Sequence, residues 1–171
     1  MTVTPKDLLE GCTLQEYSGA KNLPLKFLTK LGLTQISYQN RPAVRIPYLD
    51  ARHEEVAVRY RIRLTGEDRF RWQKGAKPVP YGLWRLEEAQ NAGHIILVEG
   101  ESDCHSLWFH GLPALGIPGA ASWREAWVQF LDGIAIIYVL VESDAGGNAT
   151  LHWVSQSRIK DRVKLISMEA L

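Results

Sequence analysis

Two short groups of acidic residues directly follow apolar segments of the sequence, and together they offer ligands for a divalent cation. The first group, EGESD at residues 99–103, follows the apolar residues 95–98, and the second, ESDAGG at residues 142–147, follows the apolar residues 134–141. Clustered carboxylates repel one another, and a divalent cation relieves this repulsion. Because Mg²⁺ takes oxygen ligands and keeps several of its waters, two or three carboxylates are enough to hold it. The spacing therefore predicts a site for Mg²⁺, with Mn²⁺ as the alternative ion.

Four acidic residues are the candidate ligands of this cation. Glu99, Glu142 and Asp144 each lie at or just after the end of an apolar segment. Asp103 is a further candidate, although at its position it could instead cap the helix that follows. Glu99 is also the candidate catalytic residue, because a carboxylate at such a site can accept or donate a proton. Glu101, in contrast, is interpreted as a solvated surface residue.

The elements that must position these acids are indicated by an alternation of apolar segments and helical patterns in the C-terminal half. Strands are predicted at residues 95–98, 114–117, 134–141 and 163–167, and helices at residues 102–110, 122–131 and 148–158. Such an alternation is typical of a mostly parallel sheet with right-handed crossovers. Ligands bind beyond the carboxyl ends of the strands in these sheets, so the two acidic groups would meet there if their strands are neighbours. Gly146 and Gly147 would let a phosphate or a metal-bound water approach the start of the third helix.

The N-terminal half has a different pattern and is predicted to form a separate α+β subdomain at residues 1–92. Helical spacing of apolar residues predicts two short helices within residues 13–31, ended by Gly32. Alternating patterns predict strands at residues 43–48, 55–64 and 69–72, followed by a loop at residues 73–80 and a helix at residues 83–92. The predicted fold class is therefore an α+β subdomain followed by an α/β domain at residues 93–171.

A formal net charge of +1 conceals a separation of charge along the chain. Residues 41–85 contain eleven Arg and Lys against five Asp and Glu, whereas residues 86–171 contain five against eleven. A basic segment suits a polyanionic partner, and the predicted contacts with nucleic acid are Arg59, Arg61, Arg63, Arg69, Arg71, Lys74 and Lys77. The alternation of the first three arginines could equally mark the solvated face of a sheet. Trp72, Tyr81 and Trp84 either stack on bases or pack in the core.

In their order along the chain, the two acidic groups resemble the Toprim domain, which is shared by bacterial-type primases, type IA and type II topoisomerases and some nucleases. The pattern of that domain is a hydrophobic strand ending in Glu-Gly, an acid a few residues later, and a second hydrophobic strand ending in Asp-x-Asp. Residues 98–103 match the first part, and residues 139–144 match the second with Glu142 in place of the first Asp. The resemblance covers residues 94–171 and implies a four-stranded α/β sheet whose strand-end acids bind Mg²⁺. Primases carry a further acidic loop after the last strand, so the domain is expected to be truncated and weak or inactive by itself.

The N-terminal half adds to this resemblance, because primases of this kind place a small basic subdomain before the Toprim domain. Residues 74–77 and 81–84 are similar to the Lys-rich loop and the Tyr-Gly-Leu segment at that junction. The resemblance to primase-like proteins of phages and mobile elements implies nucleotidyl transfer, in which primers are made on single-stranded DNA from nucleoside triphosphates. The implied partners are the DNA template, nucleoside triphosphates and a replicative helicase in cis or in trans. A Toprim nuclease and a non-catalytic nucleic-acid-binding module are the alternatives.

The composition excludes several other classes of protein. Hydrophobic residues make up 46% of the chain, which is enough for a packed core and argues against disorder. The longest apolar run, at residues 134–141, is too short to span a bilayer. Cys12 and Cys104 are far apart and match no zinc spacing, so they are expected to be reduced thiols of a cytoplasmic protein.

Overall fold

The computed structural model describes residues 11–66, 68–143 and 145–167. The chain forms two compact units, of which the first comprises Met1–Tyr48 and Glu55–Lys77 and the second comprises Leu49–Glu54 and Pro78–Leu171. The described residues form two four-stranded sheets, one with strands of the first unit and one within the second. In the described part of the chain, no helix is both long enough and apolar enough to cross a membrane.

The first unit is built on an antiparallel sheet accompanied by two short helices. α1 spans Leu14–Lys21, α2 Leu25–Lys30, β1 Thr34–Tyr38, β2 Arg41–Leu49, β3 Glu55–Arg61 and β4 Phe70–Trp72. The strands lie in the order β1-β2-β3-β4, and β1 with β2 and β3 with β4 form antiparallel pairs. A capping box starts α1, because Thr13 and Glu16 each accept a hydrogen bond from the other's backbone N–H. The two helices and three strands predicted here are confirmed.

One strand of this sheet, β1, has no counterpart among the predicted strands. Its side chains are exposed or half-buried, so its sequence lacks the alternation that marks a strand with one fully buried face. The strand is defined by its hairpin with β2, in which Gln39 and Asn40 adopt left-handed φ values of 51° and 62°. Two consecutive residues with positive φ form the turn that best matches the twist of a two-residue hairpin.

The second unit is built on a parallel sheet. Its strands are β5 His94–Glu99, β6 Ala114–Ile117, β7 Ile136–Val141 and β8 Val163–Ser167. Its α-helices are α3 Leu86–Ala92, α4 Glu101–Phe109 and α5 Ala145–Gln156. Its 3₁₀ helices are Leu83–Arg85, Ala120–Ser122, Glu125–Leu131 and Lys160–Arg162. The strand order is β6-β5-β7-β8, and each neighbouring pair is parallel. The predicted four-stranded parallel sheet is therefore confirmed.

The predicted α-helix at residues 122–131 is wrong. Two separate 3₁₀ helices occupy this region, because Trp123 and Arg124 between them have extended backbone with ψ values of 136° and 130°. Tertiary contacts favour this conformation, since the ring of Trp123 stacks on that of Trp153 with centroids 4.2 Å apart. Such contacts outweigh the local helical periodicity from which the helix was predicted.

Residues 78–92 belong to the second unit, although the predicted domain boundary follows them. Tyr81 forms an isolated β-bridge with Gly116 of β6. Leu83 and Ala89 lie in the buried core of the parallel sheet. The contacts therefore place the division of the chain before this segment, whereas the sequence pattern changes only after it.

The core of the second unit is centred on the two middle strands, β5 and β7. Ile95 and Leu97 of β5 and Ile137 and Val139 of β7 are each at most 2% exposed. Both strands are continuous apolar runs, as expected for strands that are covered on both faces. Because Leu97 pairs with Val139 in parallel register, the carboxyl ends of the two strands lie side by side.

Candidate active site

The first acidic group is positioned by a sharp turn at the end of β5. Glu99 is the last residue of the strand, and α4 begins two residues later at Glu101. Gly100 joins them with a φ of 96°, a conformation that side-chain-bearing residues rarely adopt. The backbone N–H of Gly100 donates to the carbonyl oxygen of Ile117 at the end of β6, at 3.0 Å. This bond anchors the turn to the neighbouring strand and leaves the Glu99 side chain exposed at the carboxyl edge of the sheet.

The second acidic group is positioned by close packing between the end of β7 and the first turn of α5. Glu142 directly follows the strand, and its side chain is exposed. A Cβ atom placed on Gly147 would overlap the backbone carbonyl oxygen of Glu142 and would also crowd the side chain of Val141. Only glycine at this position therefore allows α5 to start so close to the strand. Asp144, the other predicted ligand of this group, lies outside the described residues.

A cavity of about 220 Å³ brings three of the predicted acids together. Glu99, Asp103 and Glu142 line it, and the other lining residues are Val98, Ser106, Leu107, Leu140, Gly147 and Thr150. The acids come from the end of β5, the first turn of α4 and the loop after β7, which meet because β5 and β7 are neighbours. The predicted convergence of the two acidic groups is thus present for these three residues.

The donor set of this cavity suits Mg²⁺. Among the residues that the structure describes, no three His, Cys, Asp or Glu side chains are grouped so that they could hold a metal ion. Mg²⁺ does not need such a group, because it is commonly bound by one or two carboxylates together with waters and substrate phosphates. Glu99, Asp103 and Glu142 supply only carboxylate oxygens, which are the ligands that Mg²⁺ prefers. The metal site stays a prediction that the placement of these residues supports.

Comparison with known proteins gives a consistent picture of the fold. Among solved structures, the chain is similar to the Aquifex aeolicus primase with its zinc-binding and RNA polymerase domains, with a TM-score of 0.68 and 17% identity over 96% of this chain. It is also similar to the RNA polymerase domain of Mycobacterium tuberculosis primase DnaG, with a TM-score of 0.70 and 12% identity over 90% of this chain. The primase fragment of the bacteriophage T7 primase-helicase protein matches with a TM-score of 0.67 and 16% identity over 86% of this chain. The chain has the fold of bacterial and phage DNA primase catalytic domains.

Sequence comparison adds one weak relative. The Gene 57 protein of Mycobacterium phage D29 is 28% identical over 91 residues, which cover 53% of this chain and 59% of the phage protein. No protein-family model matches the sequence. The chain spans 49% of the Aquifex primase structure, 67% of the Mycobacterium structure and 62% of the T7 structure.

Glu101 occupies a different place from the one expected from the sequence. It is 1% exposed, so its interpretation as a solvated surface residue is wrong. Burial raises the pKa of the Cys104 thiol well above its ordinary value, and the carboxylates of Glu101 and Asp103 raise it further, while Arg85 acts in the opposite direction. The first turn of α4 therefore carries one acid that lines the cavity and one that is buried, and the raised pKa favours the protonated thiol of Cys104.

An aromatic cluster whose members do not line the cavity holds α4 against the sheet. Tyr81 and His105 are both fully buried, and the hydroxyl oxygen of Tyr81 lies 2.8 Å from Nε2 of His105. Nε1–H of Trp108 donates to the carbonyl oxygen of Ala114 in β6, at 3.1 Å. The half-buried Trp84 packs edge-on against the rings of Tyr81 and Trp108. Of the three aromatic residues considered for base stacking, Tyr81 is therefore a core residue.

The seven predicted nucleic-acid contacts are not all accessible. Arg61 is 3% exposed, and its Nη2 donates to the backbone carbonyl of Leu64 at 2.7 Å. Its guanidinium carbon also lies 5.1 Å from the ring centroid of Tyr17 and 5.0 Å from that of Phe70. These contacts within the unit argue against direct binding of nucleic acid by Arg61. Arg59 is half-buried, with its guanidinium carbon 4.3 Å above the ring of Phe70.

The other five predicted contacts are more accessible. Arg63 is half-buried, and the four remaining side chains are exposed, namely Arg69, Arg71, Lys74 and Lys77. Their positions are compatible with a contact to a polyanion. Their role in binding nucleic acid stays a prediction.

Proposed function

We propose that this chain is a primase-type nucleotidyltransferase, which makes primers on single-stranded DNA from nucleoside triphosphates in a reaction that depends on Mg²⁺. The observation that supports this most directly is the convergence of Glu99, Asp103 and Glu142 on one cavity at the carboxyl edge of a parallel sheet. Ligand sites of α/β sheets lie at this edge. The acidic cavity alone would suit several reactions that use Mg²⁺. The primase fold of the chain supports nucleotidyl transfer among them.

The residues of the cavity have separate roles in this proposal. Glu99 and Glu142 would hold Mg²⁺ with Asp103 beside them, and Asp144 stays a predicted ligand. When bound, the ion would supply neutralisation of triphosphate charge and orientation of the attacking hydroxyl group. The Glu99 carboxylate would also accept the proton that the attacking 3′-hydroxyl group loses. The side chains of Val98, Leu107 and Leu140 line the same cavity, and by excluding water they strengthen the electrostatic interactions within it.

The basic first unit would bind the template strand. Arg59, Arg63, Arg69, Arg71, Lys74 and Lys77 are the proposed contacts, whereas the buried Arg61 supports the fold. One similar structure is a DnaG primase catalytic domain bound to single-stranded DNA, with 14% identity and a TM-score of 0.68. The proposed partners of this chain are accordingly single-stranded DNA, nucleoside triphosphates and a replicative helicase in cis or in trans.

Primer synthesis with matched glutamate variants tests this function. The protein is incubated with single-stranded template, labelled nucleotides and Mg²⁺ or Mn²⁺, and the products are resolved by length. Glu99→Gln and Glu142→Gln should each lower the rate by roughly 10²–10³-fold, the usual cost of one lost electrostatic group in an active site. Glu87→Gln is the matched control, because Glu87 is exposed on α3 and does not line the cavity.

Three outcomes of this experiment have distinct meanings. Equal, measurable rates for wild type, Glu99→Gln and Glu142→Gln would contradict the assignment of the cavity. Degradation of the template that depends on Glu99 would instead support a nuclease using the same acids. Titration of Mn²⁺ into wild type and the double variant Glu99→Gln/Glu142→Gln gives a readout that does not depend on activity, and equal, negligible binding by both would remove the metal site.

A further inference from the structure

A further cavity, of about 280 Å³, lies in the first unit. Its lining is basic, whereas the cavity at Glu99, Asp103 and Glu142 in the second unit is acidic. Its lining residues are Tyr38, Gln39, Arg41, Pro42, Ile62, Arg63 and Arg71, and we refer to it as the arginine cavity. Three of these seven residues are arginines, and no carboxylate is among the described residues that line it. Such a lining is chemically suited to an anion.

The β1–β2 hairpin forms one side of the arginine cavity. Tyr38 and Arg41 are opposite each other at the end of the hairpin. Between them, Gln39 and Asn40 adopt positive φ values, and this tight turn places Gln39 and Arg41 at the rim. The position of Arg41 is therefore fixed by backbone pairing and does not depend on a flexible loop.

The two residues after β3, Ile62 and Arg63, and Arg71 of the edge strand β4 form the other side. Arg71 pairs opposite Tyr60, and the ring of Tyr60 lies 5.2 Å from that of Tyr38, between centroids. Nη1 of Arg71 donates to the backbone carbonyl of Phe70 at 2.8 Å and lies 3.5 Å from the carboxylate of Asp68. Asp68 is exposed and does not line the cavity. Its charge offsets part of that of Arg71, which provides a way to test the site.

Three guanidinium groups line one concave surface and supply it with hydrogen-bond donors. Guanidinium groups also match phosphate oxygens through paired hydrogen bonds, which makes arginine suited to phosphate recognition. The cavity is slightly smaller than the range of roughly 300–1,000 Å³ that is usual for drug-sized ligands, so it fits a phosphate group with a neighbouring sugar better than a whole oligonucleotide. The ring of Tyr38 is available at the rim for contact with that sugar or its base.

We propose that the arginine cavity binds a phosphate group, either of a nucleic-acid backbone or of a nucleoside triphosphate. The inference rests on the proposed function, in which the first unit contacts nucleic acid. It extends that function by assigning a defined phosphate site to the first unit. It also adds Arg41 and Tyr38, which were not among the predicted contacts. Arg59 and Arg61, which pair opposite Trp72 and Phe70, have no part in this site.

Binding measurements with two phosphate sources test the proposal. Labelled single-stranded oligo(dT) and inorganic triphosphate are each titrated against wild type and Arg41→Gln/Arg71→Gln at low salt. The double variant should bind at least one of them roughly tenfold or more weakly, because hydrogen bonds to charged groups are lost. Its matched control is Lys26→Gln/Lys30→Gln, which removes the same charge from the exposed surface of α2 in the same unit.

A second variant keeps the test informative if the double arginine variant fails to fold. Asp68→Asn removes the carboxylate beside Arg71 and should strengthen binding by roughly two- to fivefold at low salt, an effect that added salt reduces. Circular dichroism of each variant establishes that it is folded. A loss confined to oligo(dT) would identify the backbone of a strand as the ligand, whereas a loss confined to inorganic triphosphate would identify the nucleotide.

The inference and the proposed function fail in different ways. If wild type makes primers but the arginine and Asp68 variants bind both probes as wild type does, the arginine cavity is overturned and the proposed function stands. If the arginine variants lose binding but Glu99→Gln retains full activity, the active site is overturned and the arginine cavity stands. If wild type binds neither probe at low salt, the arginine cavity is overturned directly.

Discussion

Four glutamates of the second unit show that the surroundings of a side chain determine its role. Glu99 ends one strand and Glu142 follows another, and both are exposed at the cavity, as their place after apolar segments predicted. Glu101 is buried, and Glu125 accepts hydrogen bonds from Arg158, which lies far along the chain. The roles of these last two acids depend on how helices pack, so local sequence could not predict them.

Glu125 provides a pH-dependent test of such packing. Burial raises the pKa of its carboxyl group, but hydrogen bonds from the backbone N–H of Arg158 and from the side chains of Ser157, Trp123 and Arg158 lower it, and the net shift is downward. A carboxyl group whose pKa is lower in the folded state stabilises the fold above its unfolded pKa, which is about 4.3 for Glu. This contribution is lost as the pH falls through the lower, folded-state value.

Glu125→Gln should therefore reduce the free energy of unfolding at pH 7 and have little effect at pH 3. Denaturant unfolding of wild type and variant at a series of pH values from 7 to 3 measures the difference. The reduction should be small, because the ion pair with Arg158 is solvent-exposed. Glu87→Gln, on the exposed side of α3, is the control. A stability difference that stays constant over this pH range would show that ionisation of Glu125 is not responsible.

At the scale of secondary structure, the elements with a strong apolar pattern are the ones that sequence predicted. β5 and β7 are buried on one face and mostly half-buried on the other, and their apolar runs identified both strands and the acidic groups at their ends. β1 escaped prediction because its side chains are at most half-buried, and its pairing with β2 depends on a turn. The helix predicted at residues 122–131 failed for another reason, since contacts of Trp123 with a distant helix outweigh local spacing.

The junction of β7 and α5 gives a prediction at this scale. Gly147→Ala should push the first turn of α5 away from the carbonyl group of Glu142, because no space exists for the added methyl group. Overpacking of this kind costs about 1–3 kcal/mol, and the shift should also reduce catalysis by displacing Glu142. Thermal unfolding and primer synthesis measure the two effects separately.

Gly19→Ala is the matched control for this change. Gly19 also lies in a helix, α1, but no heavy atom lies within 4 Å of the Cβ position that would be added. Alanine favours helices over glycine by up to about 1 kcal/mol, so this variant should be as stable as wild type or slightly more stable. If both variants behave alike, the close packing at Gly147 does not position the second acidic group.

At the scale of the whole molecule, the separation of charge was evident from sequence, but the surface that carries it was not. The basic segment lies mostly in the first unit, and the acidic half lies in the second. Alternation along β3 suggested one face of arginines, yet Arg61 is buried and Arg59 packs on Phe70. Which arginines face solvent depends on the pairing of β3 with β4 and on packing against α1. Neither contact can be predicted from the spacing of arginines along the sequence.

This division predicts that two kinds of basic residue respond differently to substitution. Arg61→Gln should lower the free energy of unfolding by about 2–4 kcal/mol, because it removes a partly buried hydrogen bond to Leu64 and the packing of the guanidinium group on two aromatic rings. Lys74→Gln/Lys77→Gln should leave stability nearly unchanged, since both lysines are exposed in the loop after β4.

The lysine variant should instead weaken binding to single-stranded DNA. The slope of log affinity against log salt concentration should then become shallower by about 0.7 for each phosphate that the variant no longer neutralises. Urea unfolding and fluorescence anisotropy at several salt concentrations measure both properties for each variant, with Lys26→Gln/Lys30→Gln as the charge-matched control. A stable, weakly binding Arg61→Gln would restore Arg61 to the nucleic-acid surface, and an unchanged salt slope for the lysine variant would remove the loop from it.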